Sequence, residues 1–164
     1  MNTLLIRRYQ AEDNGAVKAL HYAGIKQFDA DARTDAGLFG VESSIDADLD
    51  DIENVYIRNS GEFLVGIYEE KLVAMGALKK LSTTRAEIKR MRVYPDYQRH
   101  GFGQIILQRL METASQLGYT ELCLDTLLQN TPAQKLYEKH GFVRTGQKKI
   151  GRFDVVLYEK RLNC

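Results

Sequence analysis

The stretch from Gly101 to Leu117 constrains this chain more than any other. Phe102, Ile106, Leu110 and Leu117, joined by Ile105, Met111 and Ala114, recur at helical spacing and form a wide apolar stripe. Gly101 and Gly103 stand at its entrance, and Gly118 supplies the C-terminal stop. Short runs with strand character lie on either side: 86–93 (AEIKRMRV) before it and 121–125 (ELCLD) after it. Strand, crossover helix and strand in that order make a parallel pair, so the chain is committed to an α/β fold.

The remaining elements fill in around that unit. Residues 3–8 (TLLIRR) read as a first strand, and Asp13 is placed to cap a helix running to Phe28 on the apolar side of Val17, Leu20, Ile25 and Phe28. Gly37, Gly40, Ser43 and Ser44 mark 29–45 as a loop. Ile45, Leu49, Ile52 and Tyr56 predict one helix over 45–58, with Asp46, Asp48, Asp50, Asp51 and Glu53 on a solvated face. The apolar runs 62–68 and 71–79 meet at Glu69-Glu70, which suggests a hairpin although no Asn-Gly turn is present. Pro132 at a first helical position opens a helix that ends at His140-Gly141, and 142–145 and 153–160 read as the last strands.

Length and charge bound the function. The 164 residues suit a single domain, 1–164, with a core of its own. Lys and Arg total 23 against 22 Asp and Glu, so no broad basic field for nucleic acid or an anionic membrane is evident. No run approaches the ~18 apolar residues of a membrane span, nor is there a signal-peptide core at the start, and the expected location is cytoplasmic. Cys123 and Cys164 have no partner Cys or His at metal-ligand spacing, so no metal site is expected. Cys123 reads as a buried thiol, His21 as a helix-surface residue and His140 as a helix-end cation.

The chemistry concentrates where the strand 86–93 turns into the helix. A helix N-terminus offers unpaired N–H groups and a partial positive charge, and glycine lets an anion come close to those amides. Gln98-Arg99-His100-Gly101-Phe102-Gly103 has that form. It is not a P-loop, because the Gly-Lys-Ser/Thr ending is missing, and Ile106 replaces the third glycine of a dinucleotide fingerprint.

Three ordered motifs carry a resemblance over about sixty residues: EIKRMRVYP from Glu87, QRHGFG from Gln98, and NTPAQKLYEKHGF from Asn130. Together they resemble the GNAT family of N-acetyltransferases. The resemblance implies the GNAT acyl-CoA N-acyltransferase fold, an α/β domain with a mixed, mostly antiparallel sheet of about seven strands flanked by about four helices. It implies acetyl-CoA as the acyl donor. The backbone of Met91, Arg92 and Val93 would then pair with the pantetheine arm. The amides from Gln98 through Arg99, His100, Gly101 and Phe102 to Gly103 would hold the pyrophosphate, with His100 where relatives often carry Arg or Lys. Asn130 would bond the arm near its reactive end.

Tyr137 matches the family's tyrosine acid, which protonates the departing thiolate; packing on the sheet is the competing role. Glu87 matches a position where some relatives hold a general base, and a structural carboxylate paired with a nearby cation is the alternative. The amide of Met91 or a neighbour is a candidate oxyanion donor. Phe28, Phe39 and Tyr56 are candidate pocket residues, and Lys148, Lys149, Arg152, Lys160 and Arg161 read as surface charge. The expected reaction is direct acetyl transfer to a primary amine on a small metabolite or amino-acid-like acceptor. A protein N-terminal or lysine acetyltransferase and a non-catalytic acyl-CoA-binding module are the alternatives, and a homodimer is left open.

Overall fold

The computed structural model describes residues 3–28 and 46–162. Seven strands form one sheet: β1 (Leu5–Arg8), β2 (Glu62–Tyr68), β3 (Lys71–Lys80), β4 (Arg85–Val93), β5 (Glu121–Leu127), β6 (Val143–Ile150) and β7 (Phe153–Arg161), in the order β1-β2-β3-β4-β5-β7-β6. Every neighbouring pair is antiparallel except β4 and β5, which run parallel. The helices are α1 (Asn14–Phe28), α2 (Ile52–Val55), α3 (Phe102–Gln116) and α4 (Thr131–Lys139). The crossover from β4 through α3 to β5 is the one that the bounded helix and its flanking runs predict.

The two faces of the sheet carry separate cores. Ile106, Leu107, Leu110 and Ala114 of α3 pack with Leu122, Leu124, Tyr137 and Phe142 on one face. Val17 and Leu20 of α1, with Leu49, Ile52 and Tyr56, pack on Phe63, Val65, Met75 and Ala77 on the other. Strands β2 and β3 read as unbroken apolar runs because both of their faces are covered. Their turn is built by Glu69 and Glu70 at φ 49° and 67°, so two glutamates take the left-handed conformations that Asn-Gly usually supplies.

Four expectations are corrected here. The helix over 45–58 is broken into a 3-10 turn at Ala47–Asp50, the single turn of α2, and a 3-10 turn at Ile57–Asn59. Its acidic face is not uniformly solvated, because Asp48 turns inward to Arg90 and Asp46 to His21. His21 is buried rather than on the surface. Asp13 does not cap α1: its carboxylate accepts from the Gln10 amide and from Arg7, securing the 3-10 turn before the helix. The 29–45 loop, Phe39 and Cys164 lie outside the described residues. Cys123 is half-buried on β5, and His140 ends α4 with its Nδ1 2.9 Å from the Leu136 carbonyl oxygen. Among the described residues no helix is long and apolar enough to cross a membrane.

Candidate active site

Strands β4 and β5 stay paired for only three positions, ending at Glu87 and Cys123. Beyond that point β4 continues along β3 to Val93 and β5 along β7 to Leu127, so the two diverge and leave an edge of β4 open. A bulge on β4 marks the divergence. Three residue steps from Lys89 to Arg92 face two steps from Ala77 to Met75, and Arg90 sits at φ 57°.

That left-handed arginine is anchored from below. Its Nε and Nη2 donate to the two oxygens of Asp48 at 3.0 and 2.6 Å, and Asp46 lies 3.4 Å from its Nη1. The Tyr56 hydroxyl also donates to Asp48, at 2.5 Å, so among the described residues Tyr56 is fully buried and belongs to this network. Burial would raise the Asp48 carboxyl, but the bonds from Arg90 and Tyr56 hold it below the usual carboxylate range. His21 Nε2 is 3.1 Å from Asp46, and burial pushes this imidazole down, toward the neutral form.

Two clefts open at the splay. The first, of about 450 Å³, runs from Met91, Arg92 and Val93 past Gln98, Arg99, Gly101, Phe102 and Gly103. Asn130, Leu136 and Tyr137 wall it on one side, and Gly24, Gln27 and Phe28 of α1 on another. The second, of about 400 Å³, contains Glu87, Lys89, Arg90, Asp125, Ile150 and Val155. Met91, Arg92, Asn130, Ala133 and Tyr137 line both clefts, so the two meet at the middle of the splay. His100 lines neither; its exposed ring lies 5.8 Å from that of Phe102.

The entrance to α3 is an amide cradle. Gln98 N–H donates to the Pro95 carbonyl, but among the described residues the amides of Arg99, His100, Gly101, Phe102 and Gly103 have no hydrogen-bond acceptor. Arg99 and Gly101 adopt φ 67° and 81°, the left-handed conformations that alternate in anion-binding backbone turns. A Cβ on Gly101 would meet nothing within 4 Å, so glycine is favoured there by conformation rather than space. The Gln98 side chain braces the loop, donating to the Val93 carbonyl at 2.8 Å and to Gln27 at 3.0 Å.

Asn130 caps α4 through its side-chain oxygen, which accepts from Ala133 N–H at 3.2 Å. The Tyr137 ring is buried against Phe142 and Tyr158, its hydroxyl makes no hydrogen bond among the described residues, and the residue lines both clefts. Burial raises this phenol far above its ordinary value. Burial also raises the Glu87 carboxyl, with Asp125 adding to the rise and Lys89, Lys79 and Lys148 opposing it.

Two side chains that line the second cleft escape the sequence reading, which takes Arg92 for its backbone and Asp125 only as a strand end. Asp125 follows Cys123 by two, and Arg92 lies opposite Met75, a core residue of the α1 face. Period-two alternation from Cys123 places Asp125, whereas the bulge at Arg90 breaks that period along β4 before Arg92.

Residues 25–142 match the model of the Acetyltransferase (GNAT) family. The chain is similar to the uncharacterized N-acetyltransferase YsnE of Bacillus subtilis, at 41% identity over 44% of this chain and 50% of that protein. It spans about half the length of the curated relatives it matches. Its fold is similar to an acetyltransferase from Streptococcus agalactiae, with a TM-score of 0.80, 22% identity, and 97% of this chain and 98% of that chain covered. It is also similar to yncA of Salmonella typhimurium, a structure with acetyl-CoA, at a TM-score of 0.77, 20% identity, and 99% and 95% coverage. With its parallel splay, its bulged fourth strand and this match across most of its length, the chain belongs to the GNAT family of acetyltransferases.

Proposed function

We propose that this chain, as a single catalytic domain, transfers the acetyl group of acetyl-CoA directly to a primary amine on a small acceptor. The observation that carries this reading is the run of unbonded amides from Arg99 to Gly103, continuous through one cleft with the open β4 edge and the Tyr137 hydroxyl. The cradle holds the diphosphate, with side-chain contact from Arg99, while exposed His100 contributes its amide alone. Met91 to Val93 pair with the pantetheine arm as a strand edge pairs with a peptide. Asn130, its oxygen committed to the cap, presents its amide group to the arm.

The chemistry then needs two proton transfers. An ordinary ammonium of pKa about 10 is neutral in about one part per thousand at pH 7, so the acceptor must lose a proton. Glu87 takes it, through water, in the second cleft. The amine nitrogen bonds to the thioester carbonyl carbon, and the Met91 amide steadies the oxygen charge that develops. The carbon–sulfur bond breaks with its electron pair on sulfur, and the Tyr137 O–H delivers a proton to that thiolate. Products are the N-acetylated amine and free coenzyme A; the tyrosine regains its proton from the Glu87 side through solvent.

The second cleft, of about 400 Å³, suits a small acceptor. Thiol release from acetyl-CoA against a panel of small amines, peptides with free amino termini and lysine peptides tests the reading. Turnover confined to small amines is expected. Tight acetyl-CoA binding without thiol release from any member would leave a binding module instead.

A further inference from the structure

Two arginines flank the bulge of β4, and only one is neutralised. Arg90 is engaged by both oxygens of Asp48, with Asp46 close by. Arg92 makes no ion pair among the described residues, and its Nε is enclosed without a hydrogen-bond partner. Its side chain lies against α1, where a Cβ on Gly24 would stand 2.6 Å from Arg92 Cδ and 2.8 Å from Nε. Packing, rather than a carboxylate, therefore fixes this guanidinium. Burial, reinforced by the charge of Arg90, pushes its pKa down to about 10, so it remains cationic at neutral pH. A half-buried guanidinium whose Nε is shut from solvent, with no ion pair among the described residues, is costly, and Arg92 lines both clefts.

Its side chain lies on the α1 side of β4, although the residue also lines the cleft that holds the diphosphate cradle. Met91 packs with the core under α3, whereas Arg92 is registered opposite Met75 and contacts α1 on the other face. The second cleft has an acidic side as well, because Glu87 and Asp125 both line it and interact. A cleft with carboxylates in one part and an unpaired guanidinium in another complements a molecule that carries an amine and a carboxylate together. A guanidinium takes a carboxylate through two parallel N–H bonds, which sets orientation as well as charge.

We infer that Arg92 is the binding site for a carboxylate on the acceptor, so that the acceptor is an amino acid or a short amino-acid-like zwitterion. A peptide amino terminus presents an amide there and leaves the guanidinium unpaired. This rests on the transferase reading above and narrows its substrate class.

The test pairs each amino acid with its primary amide, which keeps the amine and removes the carboxylate. Thiol release and calorimetric binding in the presence of coenzyme A are measured for the native chain, Arg92→Met and Arg92→Lys. The native chain is expected to favour acids over amides by roughly 10- to 100-fold in kcat/KM, the scale of a hydrogen-bonded charge pair. Arg92→Met should raise KM for the acids by a similar factor and bring the acid-to-amide ratio of kcat/KM close to one, and Arg92→Lys should restore part of that preference. Equal use of acids and amides by the native chain overturns the inference without needing any variant, and leaves the transferase reading standing. Loss of acetyl-CoA affinity in Arg92→Met would assign the side chain to the donor and overturn it as well, as would a panel in which no acid binds or reacts. Binding of acids that depends on Arg92 but yields no thiol release would keep the carboxylate site and remove the transferase reading.

Discussion

Arg90 and Asp48 form a two-pronged buried ion pair, Nε and Nη2 to the two carboxylate oxygens at 3.0 and 2.6 Å, across a gap of 42 residues in sequence. Both side chains are 10% exposed. The pair holds a non-glycine residue at φ 57°, and that residue is part of the bulge beside which β4 parts from β5. Asp48→Ala leaves the guanidinium buried with Asp46 as its nearest counterion. The expected loss is about 3 kcal/mol, the lower end for a broken buried pair, because Asp46 remains. Urea unfolding checks this, and Asp48→Asn, which keeps an acceptor for Arg90, should lose clearly less.

Gly103 offers a substitution with opposite effects on the empty and the liganded protein. It sits in the first turn of α3, and a Cβ there would meet only Leu136 Cδ2 at 3.7 Å and Val93 Cγ2 at 3.8 Å, both ordinary contacts. An aspartate in this turn complements the helix dipole, so Gly103→Asp should hold or raise stability by about 0.5 kcal/mol. The same carboxylate stands beside the proposed diphosphate. Like charges about 4 Å apart repel by roughly 4 kcal/mol near a protein surface, so acetyl-CoA affinity should fall by at least roughly 100-fold. Thermal unfolding and calorimetry on one preparation read both signs; unchanged affinity would remove the cradle from its proposed role.

What was legible in the sequence follows from how local each signal is. The helix from Gly101, its glycine stop and the parallel crossover announce themselves through spacing alone, and the structure has α3 at Phe102–Gln116 and β5 beside β4. The motifs from Gln98 and Asn130 indicated one site, and Gln98, Arg99, Gly101, Phe102 and Gly103 of the first and Asn130, Ala133, Leu136 and Tyr137 of the second line one cleft. The acidic segment misled because its helical spacing is real while its partners are distant. Asp48 answers to Arg90 and Tyr56, and Asp46 to His21, so pairings across the fold override a local helix. Arg92 was legible only as backbone, since no property of an arginine on a strand reveals that α1 will carry a glycine where its side chain comes to rest.

Tyr137 can lose its hydroxyl without loss of packing. The ring holds its place against Phe142 and Tyr158, and the hydroxyl makes no hydrogen bond among the described residues. Tyr137→Phe should therefore leave stability within about 0.5 kcal/mol. As the acid that protonates the departing sulfur, the hydroxyl contributes to the rate by roughly 100-fold or more, so kcat should fall by that factor while KM for acetyl-CoA stays within about threefold. Equal turnover in the two proteins would confine Tyr137 to packing.

Glu87 separates a base from a structural carboxylate through its pH behaviour. Burial raises its carboxyl above the ordinary value, so the folded chain binds this proton more tightly than the unfolded chain does. The charged form therefore subtracts from stability above the folded pKa, and that cost disappears as pH falls below the ordinary carboxylate value. Glu87→Gln should hold or gain stability at pH 7. Catalysis runs the other way, because a base works only when deprotonated. The native rate should fall as pH drops through a pKa above the usual range for glutamate, and the Gln variant should lose both that limb and most of kcat. A carboxylate serving only to neutralise Lys89 or Lys79 would show the reverse pairing, with lost stability and a retained acid limb. Rate profiles and unfolding midpoints from pH 4 to 9 on both proteins decide between the two.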